Sequence, residues 1–210
     1  MAVFLKSAEV FDTLLPHFPT VNVLDFGGGF KVPYAPGEQG TDMAQLGAEV
    51  NKVIKQLSEK FGRKLIAWFE PGKYMVSEAG FFIAKVNVLK TSGEISFAGL
   101  NTGLNHLIRP MFYDAYHHID NITHPANPLK QYAVVGNICE TDTFAWDRPI
   151  PSITEGDLLV FYNAGAYGYE MASNYNARFK PAQVLYKGGE AKLISRADQF
   201  EDLLSLQVPL

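Results

Sequence analysis

Two short apolar runs, residues 21–26 and 65–69, constrain this chain more than any other feature, because each runs into a turn of unusual composition. The first closes on Gly27, Gly28 and Gly29, and the second on Glu70, Pro71 and Gly72. A short apolar run bounded by turn residues suits a strand buried in a parallel sheet. Between the runs, Met43, Leu46, Val50, Val53, Ile54 and Leu57 recur at helical spacing, which predicts a helix over 42–61 capped by Thr41 or Asp42. An earlier amphipathic helix is predicted over residues 3–15, ended by Pro16. Helix, strand, helix, strand, with a glycine or acidic motif after each strand, is the order in which barrels of alternating strands and helices carry their sites.

After Gly80 the pattern changes. Residues 84–90 alternate with period two, and 132–135, 157–162 and 181–186 are further strand candidates separated by Gly, Pro and Asn. These predict an antiparallel β domain, with a hairpin turn at Gly188 and Gly189 and a closing helix over 198–206 capped by Asp198. The fold class expected is therefore α/β plus all-β, divided into 1–85 and 86–210.

Composition narrows the function. The net charge is −4, and Lys and Arg form no basic stripe, which disfavours nucleic acid as a partner. No apolar run approaches the roughly 20 residues that span a bilayer, and the N-terminus lacks the order of a signal peptide, so a cytoplasmic location is expected. His106, His117, His118 and His124 and the one cysteine lack metal-ligand spacing, and no metal is assigned. Cys139 is either a small hydrophobe or a reactive thiol.

The triple glycine is either a tight turn or a cradle in which backbone N–H groups approach a phosphate. No Gly-Lys-Ser/Thr follows it, which disfavours a nucleoside triphosphate. Glu70 either pairs with Lys73 across its turn or faces a cation or strong donors of a ligand. Residues 165–176 hold Tyr167, Tyr169, Tyr175, Asn174 and Asn176, a density of phenols and amides that each need partners.

Residues 26–30, 70–73, 101–113, 137–142 and 165–176 together resemble, in order and spacing, the C-terminal half of the diaminopimelate decarboxylase family, enzymes of the alanine-racemase-like fold type that use pyridoxal 5'-phosphate (PLP). The resemblance implies that residues 1–85 are the last strands and helices of a (β/α)8 barrel on its PLP-phosphate side, and that 86–210 form the family's C-terminal β domain. It implies cofactor contacts at Gly27, Gly28, Gly29, Glu70, Gly72, Lys73 and Tyr167, with Glu70 facing the pyridine nitrogen. Substrate contacts are implied at Lys73, Arg109, Tyr113, Glu140 and Tyr167. Arg109 would grip a distal carboxylate, and Glu140 a distal ammonium. Cys139 would be the proton donor to the α-carbon, reaching into a neighbouring subunit of a homodimer, while Asn174, Tyr175 and Asn176 would support the wall of the site that Tyr167 forms.

The implied reaction is decarboxylation of meso-diaminopimelate to L-lysine, a step of lysine biosynthesis. Ornithine, arginine or carboxynorspermidine is the alternative substrate within the class, and a PLP-free, non-catalytic interaction module is the alternative outside it. Lys73 stands where the family usually has arginine, and Asn101 where aspartate is more typical. The family's cofactor-bearing lysine has no counterpart among these residues. A fragment of a longer enzyme, inactive alone and with open strand edges prone to self-association, is therefore expected.

Overall fold

The computed structural model describes residues 2–208, which divide into two units, Met1–Ser77 and Glu78–Leu210. The border falls ahead of the expected 85/86, because the strand that begins at Phe82 belongs to the second unit's sheet throughout.

In the first unit, α1 (Ala2–Leu14) gives way at Pro16 to a short 3-10 turn, Leu15–His17. Strand β1 (Val23–Asp25) follows, then α2 (Met43–Lys60), β2 (Ile66–Trp68) and α3 (Gly72–Val76). Of the two candidate caps for α2 the structure uses Asp42, whose Oδ1 accepts from the Gln45 amide at 2.9 Å. Strands β1 and β2 pair in parallel with Val23 opposite Ile66 and Asp25 opposite Trp68. Phe4 and Ala8 of α1, Leu24 of β1 and Leu46, Val50 and Leu57 of α2 form one core. The expectation that β2 is buried is corrected. Ala67 packs on that core, but Ile66 and Trp68, which share the opposite face, are exposed, Trp68 to 59%.

The second unit is built on a six-stranded sheet of β3 (Phe82–Ser92), β4 (Ile95–Leu100), β5 (Ile119–Asn121), β6 (Leu129–Val135), β7 (Thr143–Pro151) and β8 (Leu158–Phe161), in the order β5-β8-β3-β4-β6-β7. The expected antiparallel domain is corrected in one respect: β4 and β6 pair in parallel, and every other pair in the sheet is antiparallel. The first and last strands in that order, β5 and β7, approach each other, so the sheet curls into a barrel-like shape. Its interior holds Val86, Leu100, Ile119, Val134, Leu159 and Phe161.

A buried knot fastens the curl. Asn121 Nδ2 donates to the Pro151 and Ser152 carbonyls and, at 2.8 Å, to Asp157 Oδ2. Burial alone would raise Asp157. Hydrogen bonds from the Thr154 amide, Asn121, His124 and the Thr154 hydroxyl outweigh it and hold the carboxyl at about 2.

Between β4 and β6 lies α4 (Arg109–Tyr113). Beyond β8, β9 (Gln183–Lys187) and β10 (Glu190–Ser195) form the expected hairpin, with Gly188 and Gly189 both at positive φ. The closing helix α5 (Phe200–Leu204) is shorter than expected, and its cap is Gln199, in a capping box with Asp202. Asp198 instead accepts from Asn174 Nδ2 and the Lys180 amide. Among the described residues no helix is long and apolar enough to cross a membrane.

Candidate active site

In the first unit the site residues gather at the C-terminal ends of the parallel pair. The Phe26 amide donates to the Trp68 carbonyl and the Glu70 amide to the Gly27 carbonyl, each at 2.9 Å, so the ladder runs on into both turns. Gly27 and Gly29 sit at φ +69° and +84°, in the left-handed region, and a Cβ on Gly28 would lie 2.5 Å from the Glu70 carbonyl oxygen. Only glycine fits there, and the loop presents bare backbone beside the exposed Glu70 side chain. Glu70 forms no ion pair with Lys73 among the described residues. Lys73 lies on α3 with Nζ 5.9 Å from the centre of the Tyr34 ring, and the Tyr34 hydroxyl is hydrogen-bonded at 2.9 Å to the buried Ser77. Gly72 opens the same helix, its amide donating to the Glu70 carbonyl.

This set fits PLP. The glycine turn offers backbone where a phosphate needs amides and no Cβ, and the exposed Glu70 carboxylate, in no ion pair among the described residues, has the chemistry to face a protonated ring nitrogen.

In the second unit the most specific group is the bend between β6 and β7. Cys139 is exposed, with its Sγ 3.4 Å from Glu140 Oε2, and the Tyr175 hydroxyl donates to Glu140 Oε1. The Tyr175 hydrogen bond first, then Glu140's own amide and the Cys139 thiol, hold the Glu140 carboxyl below its ordinary range, and the same contact raises Tyr175. Glu140 is therefore an anion flanked by two donors, the Tyr175 hydroxyl and the Cys139 thiol.

Asp142 holds this bend in place. Its Oδ1 accepts from the Leu104 amide at 2.8 Å, its Oδ2 from the Ile138 amide at 2.9 Å, and its carbonyl from Gly136. Cβ atoms on Gly103 or Gly136 would stand 2.5 Å and 2.0 Å from that carboxylate. Burial raises Asp142's pKa against the pull of those amides.

Arg109 and Tyr113 are the first and last residues of α4, a helical turn apart. Arg109 is buried, while Tyr113 is exposed and meets Phe112 edge-on at 4.7 Å. Tyr167 stands at φ +59° and is 48% exposed, in a loop so tight that a Cβ on Gly168 would be 2.4 Å from the Ala164 carbonyl oxygen. An aromatic residue in the left-handed region is uncommon and marks a position held by its surroundings. Asn174 ties the 174–178 turn to Asp198, and Asn176 and Ala177 are also left-handed.

Within each unit the structure thus joins Gly27–Gly29 with Glu70, and Cys139 with Glu140 and Tyr175; Arg109 with Tyr113, and Tyr167, stand on separate segments. Sequence reasoning missed Asp142 and His117. Spacing tests histidines only as metal ligands, and among the described residues no group of three or more His, Cys, Asp or Glu is placed to hold a metal ion.

An α/β unit ending in a glycine cradle and a curled sheet carrying a Cys-Glu pair define the class. The chain belongs to the pyridoxal-dependent decarboxylases, whose C-terminal sheet domain matches residues 33–165. It is 41% identical over 185 residues to diaminopimelate decarboxylase of Methanothermobacter thermautotrophicus, a match covering 86% of this chain and 43% of that protein. Against the enzyme of the same name from Escherichia coli K12 it is 33% identical, covering 90% and 48%. A crystal structure of diaminopimelate decarboxylase superposes with a TM-score of 0.91 at 31% identity, covering 98% of this chain and 52% of that one. The chain spans about half the length of the relatives it matches.

Proposed function

We propose that this chain works as the C-terminal half of a diaminopimelate decarboxylase, the cofactor-bearing lysine coming from an N-terminal half in the same or a second polypeptide. The observation that carries the reading is the Tyr175–Glu140–Cys139 contact, which sets a carboxylate fit for an ammonium group directly beside a thiol. Support for the substrate comes from the 41% identical archaeal relative and from a diaminopimelate decarboxylase structure of M. jannaschii in complex with L-lysine, which matches at a TM-score of 0.86 and 28% identity, covering 97% of this chain and 48% of that one.

In this reading the first unit is the closing part of a (β/α)8 barrel, β1 and β2 being neighbouring strands with a helix before each. Bound PLP supplies an electron sink next to the carbon that loses its carboxylate. Gly27, Gly28 and Gly29 would receive its phosphate, Gly72 and Lys73 at the start of α3 would be further cofactor contacts, and Tyr167 would contribute another from the second unit. Glu70 keeps a proton on the ring nitrogen. At the far end of the substrate, Arg109 and Tyr113 hold the second carboxylate and Glu140 the second ammonium, with Lys73 supplying a cation on the cofactor side. Cys139 Sγ gives its proton to the reacting carbon, across the interface of a homodimer. A substrate with both an ammonium and a carboxylate at its distal end uses Glu140 and Arg109 together, which favours meso-diaminopimelate over ornithine or arginine.

The test is turnover of meso-diaminopimelate. The 210-residue chain alone with PLP is expected to release no carbon dioxide, and the enzyme assembled with its N-terminal half to form L-lysine. In the assembled enzyme Cys139→Ala should lower kcat by about 100-fold or more with little change in KM. Unchanged kcat would remove Cys139 from the chemistry, and preferred turnover of ornithine would overturn the substrate.

A further inference from the structure

Arg109 is only 8% exposed, and its Nη1 lies 3.0 Å from Nε2 of His117. His117 is 1% exposed, and its other ring nitrogen, Nδ1, lies 2.8 Å from the Tyr162 carbonyl oxygen. A carbonyl oxygen only accepts, so Nδ1 carries the proton; a guanidinium only donates, so Nε2 offers its lone pair. Both contacts are made at once by a single species, the neutral Nδ1–H tautomer. Burial, opposed in part by the Tyr162 hydrogen bond and reinforced by the charges of Arg109 and Arg148, lowers the ring's pKa to about 4, so that species persists at neutral pH. The peptide around the ring is fixed as well. Arg148 donates to the His117 carbonyl while its guanidinium lies 3.8 Å from the centre of the Tyr116 ring.

We propose that His117 is the positioning residue of Arg109, fixing the plane of its guanidinium so that the face offered to the distal carboxylate is set before substrate arrives. This deepens the function proposed above and rests on Arg109 being the carboxylate clamp. The choice of an imidazole has a chemical logic. A carboxylate in its place would add a negative charge beside the guanidinium, whereas a neutral ring accepts from it without adding one. The three segments involved, α4, the segment entering β5 and the chain leaving β8, all belong to the curled sheet's unit.

Two measurements test this. Long-range proton–nitrogen spectra of the imidazoles in the unmodified 210-residue chain should show His117 as neutral Nδ1–H from about pH 8 down to about pH 5; an Nε2–H ring, or protonation near the ordinary value of about 6.5, would overturn the proposal without any variant having to fold. In the assembled enzyme, His117→Phe should raise KM for meso-diaminopimelate by about tenfold with kcat within about twofold, His117→Gln should recover most of the loss, and His117→Phe should add nothing to Arg109→Ala. Additive effects, or a fall in kcat at constant KM, would reduce His117 to a packing residue. If Arg109→Ala itself leaves KM unchanged, the clamp falls and the proposal with it. If Arg109→Ala raises KM while His117→Phe does not, the clamp stands and only the positioning role is lost.

Discussion

The turn after β1 and the bend after β6 both hold candidate site residues at the end of a strand, yet they are built from different material. In the first, main chain meets main chain: the Glu70 amide reaches the Gly27 carbonyl, and Gly28 has room for no Cβ because the Glu70 carbonyl oxygen occupies the space. In the second, a side chain does the fastening, with the Asp142 carboxylate gathering the Leu104 and Ile138 amides and filling the space beside Gly103 and Gly136. The first construction leaves the side chain at position 70 free to be selected for chemistry. The second makes the placing of Cys139 and Glu140 depend on one buried acid, itself outside the chemistry.

The sharpest way to break this comparison is a pair of glycine substitutions. Gly28→Ala and Gly136→Ala should each cost about 3 kcal/mol or more, since the added Cβ meets an oxygen at 2.5 Å or less. Their rescue should differ. Asp142→Ala in the Gly136→Ala background removes the atom that clashes and should restore part of the loss, whereas no side-chain change at Glu70 can relieve a clash with its carbonyl. Equal rescue in thermal melts would show the distinction to be false.

Asp142→Asn should cost about 2 kcal/mol, because an amide cannot accept from both the Leu104 and Ile138 N–H groups without turning a donor toward one of them. The freed bend should also change the rate at which Cys139 is alkylated by iodoacetamide. A stable variant with an unaltered alkylation rate would show that the bend holds itself.

Glu70→Gln should leave the melting temperature in place, as the Glu70 side chain is exposed and unpaired with Lys73, but slow turnover of the assembled enzyme about tenfold with PLP retained. Near-normal turnover would end the ring-nitrogen role.

The smallest effect is expected for Tyr175→Phe. Glu140 is held low chiefly by the Tyr175 hydrogen bond, so in its proposed role the wild-type carboxylate should bind an ammonium down to pH values below the ordinary carboxylate range and lose it as pH falls through the depressed pKa. Without the phenol that loss should begin at higher pH, with KM at neutral pH raised only about threefold. An acid limb at the same pH in both proteins would show that Tyr175 does not tune Glu140.

The contrast also explains what could be read from the sequence. Features written in adjacent residues were legible: both parallel strands with their glycine and Glu70 turns, the helix over 43–60, the hairpin at Gly188 and Gly189, and the Cys139–Glu140 pair. Features written across long separations were not. Asp142 serves Leu104, and His117 serves Arg109 and Tyr162, links that no periodicity marks. The parallel pairing of β4 with β6 is likewise invisible locally, because alternation sets which face a strand buries and not which neighbour it takes. The assignment of Asp198 as a cap failed for a related reason: a distant partner, Asn174, claimed its carboxylate.

That parallel pair has a kinetic consequence. A two-residue turn lets β3 and β4 zip as soon as they meet, but β6 can join β4 in parallel only after the chain between them has doubled back along the sheet. The segment that must first be laid down is the one bearing Arg109, Tyr113 and His117. Closing so long a loop before any pairing rewards it is slow, so completion of the sheet should be the late event of refolding, and the proposed carboxylate clamp should become competent in that same step.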